Sequence, residues 1–324
     1  QYKNDFWRAD QFVPDSIVLS SELHSEIMSP IQMPFCSYPW DCLNLLLYGI
    51  RPAEIITIMA GSGVGKSTFV KQILNSVYED TSNRIGVMSL EESAPVAAMA
   101  LMSMSTGKTL HLPTVNQMKK ILKDPKRVSE KRMLEDVTDE QRLADKETAF
   151  SKCMADDRFV FLSHEGQLSV ESVVGRMRYM AKALNCKVIL LDHISILVGL
   201  ASSGKANERE AIDHVMHELR KLVEETDVTL LNICHLRKPS EGKGHEEGRR
   251  VQAIEARGSG AIVQLSNIGI ALEGNRQSED AEERNTTIVR ILKNRYTGEA
   301  GVAGELSYDI NTSLLTEKYV GEGL

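Results

Sequence analysis

The stretch "IITIMAGSGVGKSTFVKQIL", Ile55 to Leu74, constrains the fold more than any other part of this chain. Apolar residues lead into a glycine-rich turn. The turn leads into a run that places Phe69, Val70, Ile73, Leu74 and Val77 at helical spacing. A strand, a tight loop and a helix in that order make an anion site, because backbone N–H groups and the helix N-terminus converge on one point. Gly61, Gly63 and Gly65 permit the backbone conformations and the close approach that this needs. Lys66 is placed to reach β- and γ-phosphates, and the Ser67 hydroxyl to meet Mg²⁺. The usual pattern, G-x-x-x-x-G-K-S/T, wants glycine where this chain has Ala60. That position sets the exit from the strand, so a small residue suffices. The expected phosphate-binding set is Ala60, Gly61, Ser62, Gly63, Val64, Gly65, Lys66, Ser67 and Thr68. A glycine turn with no ligand is the plain alternative, and the flanking strand and helix argue against it.

From Ile55 onward strand and helix patterns alternate. Strands are expected at Ile55–Met59, Ile85–Leu90, Phe159–Leu162, Val188–Leu191 and Val228–Cys234. Between them, Val170, Val173, Val174, Met177 and Leu184 share one helix face, and Ile212, Val215, Met216, Leu219, Leu222 and Val223 share another. Such alternation, with nearly continuous apolar strands, predicts an α/β fold whose mostly parallel sheet is covered by helices on both faces. After Ile268 the segments shorten and glycine turns appear, which predicts an antiparallel extension. Residues 107–157 read as a charged helical elaboration, and residues 276–285 as a polar, mobile loop. Residues 1–50 carry too few apolar groups for a core of their own and read as a lead-in arm, followed by one domain over residues 51–324.

Composition narrows the class. A chain of 324 residues with 42% hydrophobic and 26% charged residues suits a soluble α/β unit with a short appendage. Cys36, Cys42, Cys153, Cys186 and Cys234 are scattered without a C-x-x-C, which argues against disulfides or zinc. No run approaches a membrane span, and the polar start is not a signal peptide. Position 1 is Gln, so the chain is expected to be a fragment or processed product with domains upstream. The net charge of −7 argues against nucleic acid unless basic residues cluster locally.

Several strand ends carry chemistry. Asp192 closes the strand "KVILLDH", where an acid beside a phosphate loop can hold Mg²⁺ through water. Glu91 and Glu92 follow another strand; either could orient and deprotonate an attacking water, and either equally suits a helix N-terminus. His235 ends a third strand, where it could sense a γ-phosphate or merely pack. Arg237, Lys238, Lys243, Arg249 and Arg250 then form a basic stretch able to follow a phosphate backbone, interrupted by Glu241, Glu246 and Glu247 as in an ordinary solvated loop. Lys293 and Arg295 sit far along the chain from the phosphate loop, but could reach a nucleotide held by a neighbouring subunit.

The segments "GSGVGKSTF", "SLEES", "VILLDHISI", "ICHLRKP", "GKGHEEGR", "RGSGAIVQLSN" and "RILKNRYTG", in this order, resemble the helicase domain of phage primase–helicases. That group is similar to mitochondrial Twinkle and bacterial DnaB replicative helicases. The resemblance covers about Phe12 to Tyr308. It implies a RecA-like P-loop NTPase core, a hexameric or heptameric ring, nucleotide between subunits and single-stranded DNA through the centre. It implies hydrolysis of ATP or another NTP with Mg²⁺, 5′→3′ translocation, and polymerase and primase as partners. The location implied is the cytoplasm of an infected cell, with the mitochondrial matrix as the alternative. By the same resemblance Glu91 is the catalytic base, Lys66 and Ser67 hold phosphates and metal, and Asp192 is the metal-side acid. His235 and Gln264 sense the γ-phosphate, Arg295 with Lys293 acts in trans, Arg237, Lys238 and Lys243 meet DNA, and Tyr308 packs on the base. Two positions depart from the pattern. Gly274 stands where an arginine partner for the base is expected, with Arg276 nearby, and Glu241 stands where a basic DNA-loop residue is expected. A filament-forming recombinase on the same core, or a P-loop kinase, would share the phosphate loop.

Overall fold

The computed structural model describes residues 18, 20–29, 33–121, 137–163, 168–202, 208–237, 242–255 and 261–318. The chain divides into two compact units, Gln1–Met33 and Pro34–Leu324. Within the first, one short helix, α1, covers His24–Ile27.

In the second unit, α2 covers Asp41–Leu47, β1 Ile55–Ala60, α3 Lys66–Asp80, β2 Arg84–Ser89, α4 Ala94–Thr106, α5 Val115–Ile121 and α6 Asp139–Cys153. There follow β3 at Phe159–Phe161, α7 at Val170–Lys182, β4 at Cys186–Asp192, α8 at Ile194–Ser202, α9 at Glu208–Thr226 and β5 at Thr229–His235. Last come α10 at Ala261–Leu265, β6 at Ile268–Glu273, α11 at Ala281–Asn285, β7 at Thr286–Asn294, β8 at Gly301–Asp309 and β9 at Leu314–Lys318. The nine strands form one sheet in the order β3-β2-β4-β5-β1-β6-β7-β8-β9. Strands β3 to β6 along that order pair in parallel, and β6 to β9 pair antiparallel. The parallel α/β core and its antiparallel extension are therefore as the sequence pattern implies, with β9 as a further strand beyond those expected.

Alternation along β1 builds two cores. Ile56, Ile58 and Ala60 face one apolar cluster, and Ile55 and Met59 face the other. The second cluster is closed by α7, which buries Val170, Val173, Val174 and Met177 while the expected Leu184 lies half-buried beyond its end, and by α9, with Ile212, Val215, Met216, Leu219, Leu222 and Val223 each fully covered. Each such side chain contributes about 1.5–3 kcal/mol relative to exposure. The start of α7 is fixed by Ser169, whose hydroxyl accepts from Ser172 N–H, with Glu171 in the first turn and Lys182 in the last.

Two expectations need correction. The lead-in arm is shorter than residues 1–50, because Pro34 to Ile50 belong to the second unit. Trp40 stacks on Phe69 with ring centroids 4.6 Å apart and donates through Nε1 to Leu315 O at 2.9 Å. Leu43, Leu47 and Ile50 are fully buried. Helix α2 lies so close on β8 that a Cβ at Gly304 would meet Cys42 Cβ at 2.8 Å. Residues 276–285, expected as a mobile loop, include a helical turn, α11, capped by Asp280, which accepts from Glu282 N–H. Arg276 at its start is bound on several sides, as described below. The polar composition suggested solvent; the hydrogen bonds it makes with its own backbone gave it structure instead.

Candidate nucleotide-hydrolysis site

The phosphate loop leaves the C-terminal end of β1, between β5 and β6, and enters α3 at Lys66. Gly63 and Gly65 have φ of 74° and 105°, the left-handed region that favours glycine. Ala60 is the last residue of β1, fully buried, and has no such φ. The missing consensus glycine is thus a strand residue whose small side chain is all that the packing requires. Gly61 is needed for another reason: a Cβ there would lie 2.6 Å from His245 Cβ. Lys66 is buried, and its ammonium donates to Gly61 O at 2.8 Å and Ala60 O at 3.1 Å. Burial lowers its pKa, partly opposed by the charges of Asp192 and Glu91. Ser62 and Ser67 are exposed at the loop, and Thr68 is half-buried.

The acids and histidines gather beside it. The parallel register sets Ser89 against Asp192 and Ala60 against His235, so the ends of β2, β4, β1 and β5 form one rim. Asp192 is buried; desolvation raises its carboxyl pKa, and the Glu91 charge raises it further. The structure separates the two glutamates that the sequence left open. Glu92 pairs with the buried Lys71 of α3. Glu91 is half-exposed, 2.7 Å from His193 Nε2 and 3.8 Å from His235 Nε2. The two imidazoles meet edge to face at 4.2 Å. His193 was not singled out by sequence, though its place directly after Asp192 is the signal that finds it.

A cavity of about 400 Å³ opens on the other side of the loop, lined by Gly63, Gly65, Thr68, Arg276 and Tyr308 among others. Arg276 donates to Val64 O at 2.7 Å, to Thr287 Oγ1 and to Arg284 O, tying the antiparallel extension to the phosphate loop. Gly274 packs beside it; a Cβ at 274 would lie 3.0 Å from Thr286 O and in ordinary contact, 3.4 Å, with Arg276 Cζ. The segment after β5 folds back over the same rim. His245 is buried against Gly61 and bonds Arg237 O at 3.1 Å, while Glu246 O accepts from Arg276 N–H at 2.7 Å. Arg237 and Lys243 are exposed; Lys238 and Glu241 lie outside the described residues.

Gln264, Lys293 and Arg295 are elsewhere. Strand β6 starts at the level of Ile56, and the end of β7 pairs with that start, Asn294 against Ile268. This level is four strand residues, roughly 13 Å, from the Ala60–His235 rim. Lys293 Nζ donates to Val263 O at 3.2 Å and to Gln264 O, and Arg295 is exposed with its N–H on Asn267 O. Burial, then Arg295 and Arg220, lower the Lys293 pKa, so this end is a basic cluster. Within a single chain the Gln264 contact seen here is its backbone carbonyl, which accepts from Lys293.

The fold and this rim define the class: an α/β RecA-like ATPase core with its phosphate loop at the end of a central parallel strand. The chain belongs to the DnaB-like helicase C terminal domain family, whose model matches residues 39–313. It is 32% identical over 319 residues to the DNA helicase/primase of Enterobacteria phage T3, covering 95% of this chain and 51% of that protein. It is 22% identical over 263 residues to the replicative DNA helicase DnaB of Geobacillus stearothermophilus, covering 78% of this chain and 50% of that one. The chain thus spans about half the length of these curated relatives. Among solved structures it resembles an ATPase domain, with a TM-score of 0.67, 17% identity and coverage of 91% of this chain and 96% of that one. A DnaB-like replicative helicase gives 0.66 at 15% identity, covering 97% and 71%. Among the described residues no helix is long and apolar enough to cross a membrane.

Proposed function

We propose that this chain is the motor domain of a ring-forming replicative DNA helicase, which couples NTP hydrolysis to 5′→3′ movement on single-stranded DNA. The observation that carries this is the rim itself: phosphate loop, buried Asp192 and half-exposed Glu91 at the C-terminal ends of parallel strands of one sheet, in a chain of the DnaB-like family. Loop amides and Lys66 bind the β- and γ-phosphates, the lysine leaving its two carbonyl partners to do so. Glu91, oriented by His193, accepts the proton of the attacking water. His235 reports the state of that carboxylate to the segment that carries Arg237 and Lys243, which meets the DNA backbone. Tyr308 and Arg276 flank the base.

The hard oxygen donors Ser67 and Asp192 fit Mg²⁺, and a buried carboxyl whose charge is disfavoured by its surroundings is suited to a cation. Bound there, the ion would neutralise charge on the phosphate oxygens. The subunit ring, hexameric or heptameric, and a primase partner accord with the family. A replicative polymerase as partner and the cytoplasm of an infected cell as location belong to the same proposal, the latter supported by the phage origin of one relative.

The test is hydrolysis and unwinding together. Purified chain with Mg²⁺ and different NTPs is expected to show DNA-stimulated hydrolysis and to unwind a forked duplex with a 5′ tail. Hydrolysis indifferent to DNA would sink the helicase reading, and open filaments in micrographs would favour a recombinase.

A further inference from the structure

Glu91, His193 and His235 offer one carboxylate oxygen and two imidazole nitrogens that all lie within 4.8 Å of one another. We propose that these three side chains form a binding site for a transition-metal dication of the zinc class, separate from the magnesium position, which immobilises Glu91 when filled. The binding claim stands without any assignment of activity; only the inhibitory consequence rests on Glu91 being the base.

The chemistry follows from the donor set. Magnesium prefers oxygen ligands and keeps several waters. Neutral imidazoles with one carboxylate select zinc, cobalt, nickel or copper instead. Metal–ligand bonds near 2.1 Å in a tetrahedral site put neighbouring donors roughly 3.4 Å apart. Here Glu91 Oε1 is 2.7 Å from His193 Nε2 and 3.8 Å from His235 Nε2. Both histidines present the same nitrogen to the same oxygen. His193 is buried and so held, whereas the Glu91 side chain is about half-exposed and can shift by the fraction of an ångström required. The nearby Lys71 is already paired with Glu92, which leaves Glu91 as the half-exposed carboxylate facing both imidazoles. Three protein ligands leave one tetrahedral position open, and a dication bound to the Glu91 carboxylate lowers its basicity towards water.

Cobalt(II) titrated into the full chain, without nucleotide, is the direct probe. The expected result is a visible d–d absorption that saturates at one ion per chain and is displaced by Zn²⁺. It should be lost in Glu91→Gln, which alters an exposed side chain, and in His193→Ala, and kept in His217→Ala on the outer face of α9. In hydrolysis assays with excess Mg²⁺, Zn²⁺ should slow the wild type at least several-fold, reversed by a chelator. No band in the wild type, a band that survives Glu91→Gln, or a near-ultraviolet thiolate charge-transfer band would overturn the site. A normal cobalt band in a chain that hydrolyses no NTP would leave the site standing and remove the proposed function instead.

Discussion

Asp192 shows how a single residue sets stability against function. Its carboxyl is buried beside Glu91, and both effects raise its pKa above the ordinary carboxylate value. The folded state therefore holds this proton more tightly than the unfolded chain. Its favourable contribution is full below the unfolded pKa and is lost as pH rises through the folded one. At neutral pH the ionised group is a burden on the empty fold. Asp192→Asn should raise Tm by a few degrees, about 1 kcal/mol, and flatten the fall of stability as pH climbs out of the acidic range. The same change should abolish Mg²⁺-dependent hydrolysis. Thermal melts over pH, beside an NTPase assay, check both; a lower Tm would contradict this account. Arg276 is a second such residue. Its guanidinium joins Val64 O to Thr287 and Arg284 across the cavity that Tyr308 lines. Arg276→Ala should raise KM for nucleotide about tenfold, roughly 1.4 kcal/mol, with kcat changed less than KM. A fall in kcat alone would place Arg276 in the chemistry instead.

Elements reveal where the sequence pattern was informative and where it stopped. Parallel strands buried on both faces announce themselves as apolar runs, so β1, β2, β4 and β5 were legible to within two residues at their ends. The faces of α7 and α9 were equally plain. Strand β9 was not, because "LLTEK" is short and only Leu315 within it is buried. Its place comes from distant partners: Gln72 bonds both the N–H and the carbonyl of Leu315, Trp40 donates to that carbonyl, and Glu317 accepts from Cys42 N–H. The same is true of Pro34–Ile50, whose aromatics find their partners only once α3 and β9 exist. In the site, Lys66, Asp192 and Glu91 stood at strand ends with a motif beside them. His193 had only its place after Asp192 to mark it, and Arg276 and His245 meet the site through contacts between segments far apart in sequence, which no spacing encodes. The segment after β5 makes this testable. Gly61→Ala would put a methyl 2.6 Å from His245 Cβ, so the loop or the segment must shift. Nucleotide binding should weaken, and a second change, His245→Gly, should restore a part of it. Affinities of the two single variants and the double variant give the coupling, and simple additivity would deny the contact any role.

At the scale of the whole molecule the chain has two unlike ends. The phosphate loop, Asp192 and Glu91 lie at the C-terminal ends of the parallel strands. Arg220, Lys293 and Arg295 gather at the other end, held by α10 and the start of β6. No reasonable side-chain motion brings Arg295 to the loop of its own chain across roughly 13 Å of sheet. Identical copies packed head to tail would bring the two ends together, and such heterologous contacts close into rings or run on as helices. The family supplies the expectation of a ring, and the geometry supplies a test that does not depend on it. Lys66→Ala and Arg295→Ala should each abolish hydrolysis, the latter without loss of nucleotide binding. Mixed in equal amounts under conditions that allow exchange, the two inactive proteins should regain activity. A loop from an Arg295→Ala subunit then faces an intact arginine from a Lys66→Ala subunit at about a quarter of random interfaces. If the site were complete within one chain, no mixing ratio would restore any rate, and the two ends would owe their difference in charge to something other than assembly.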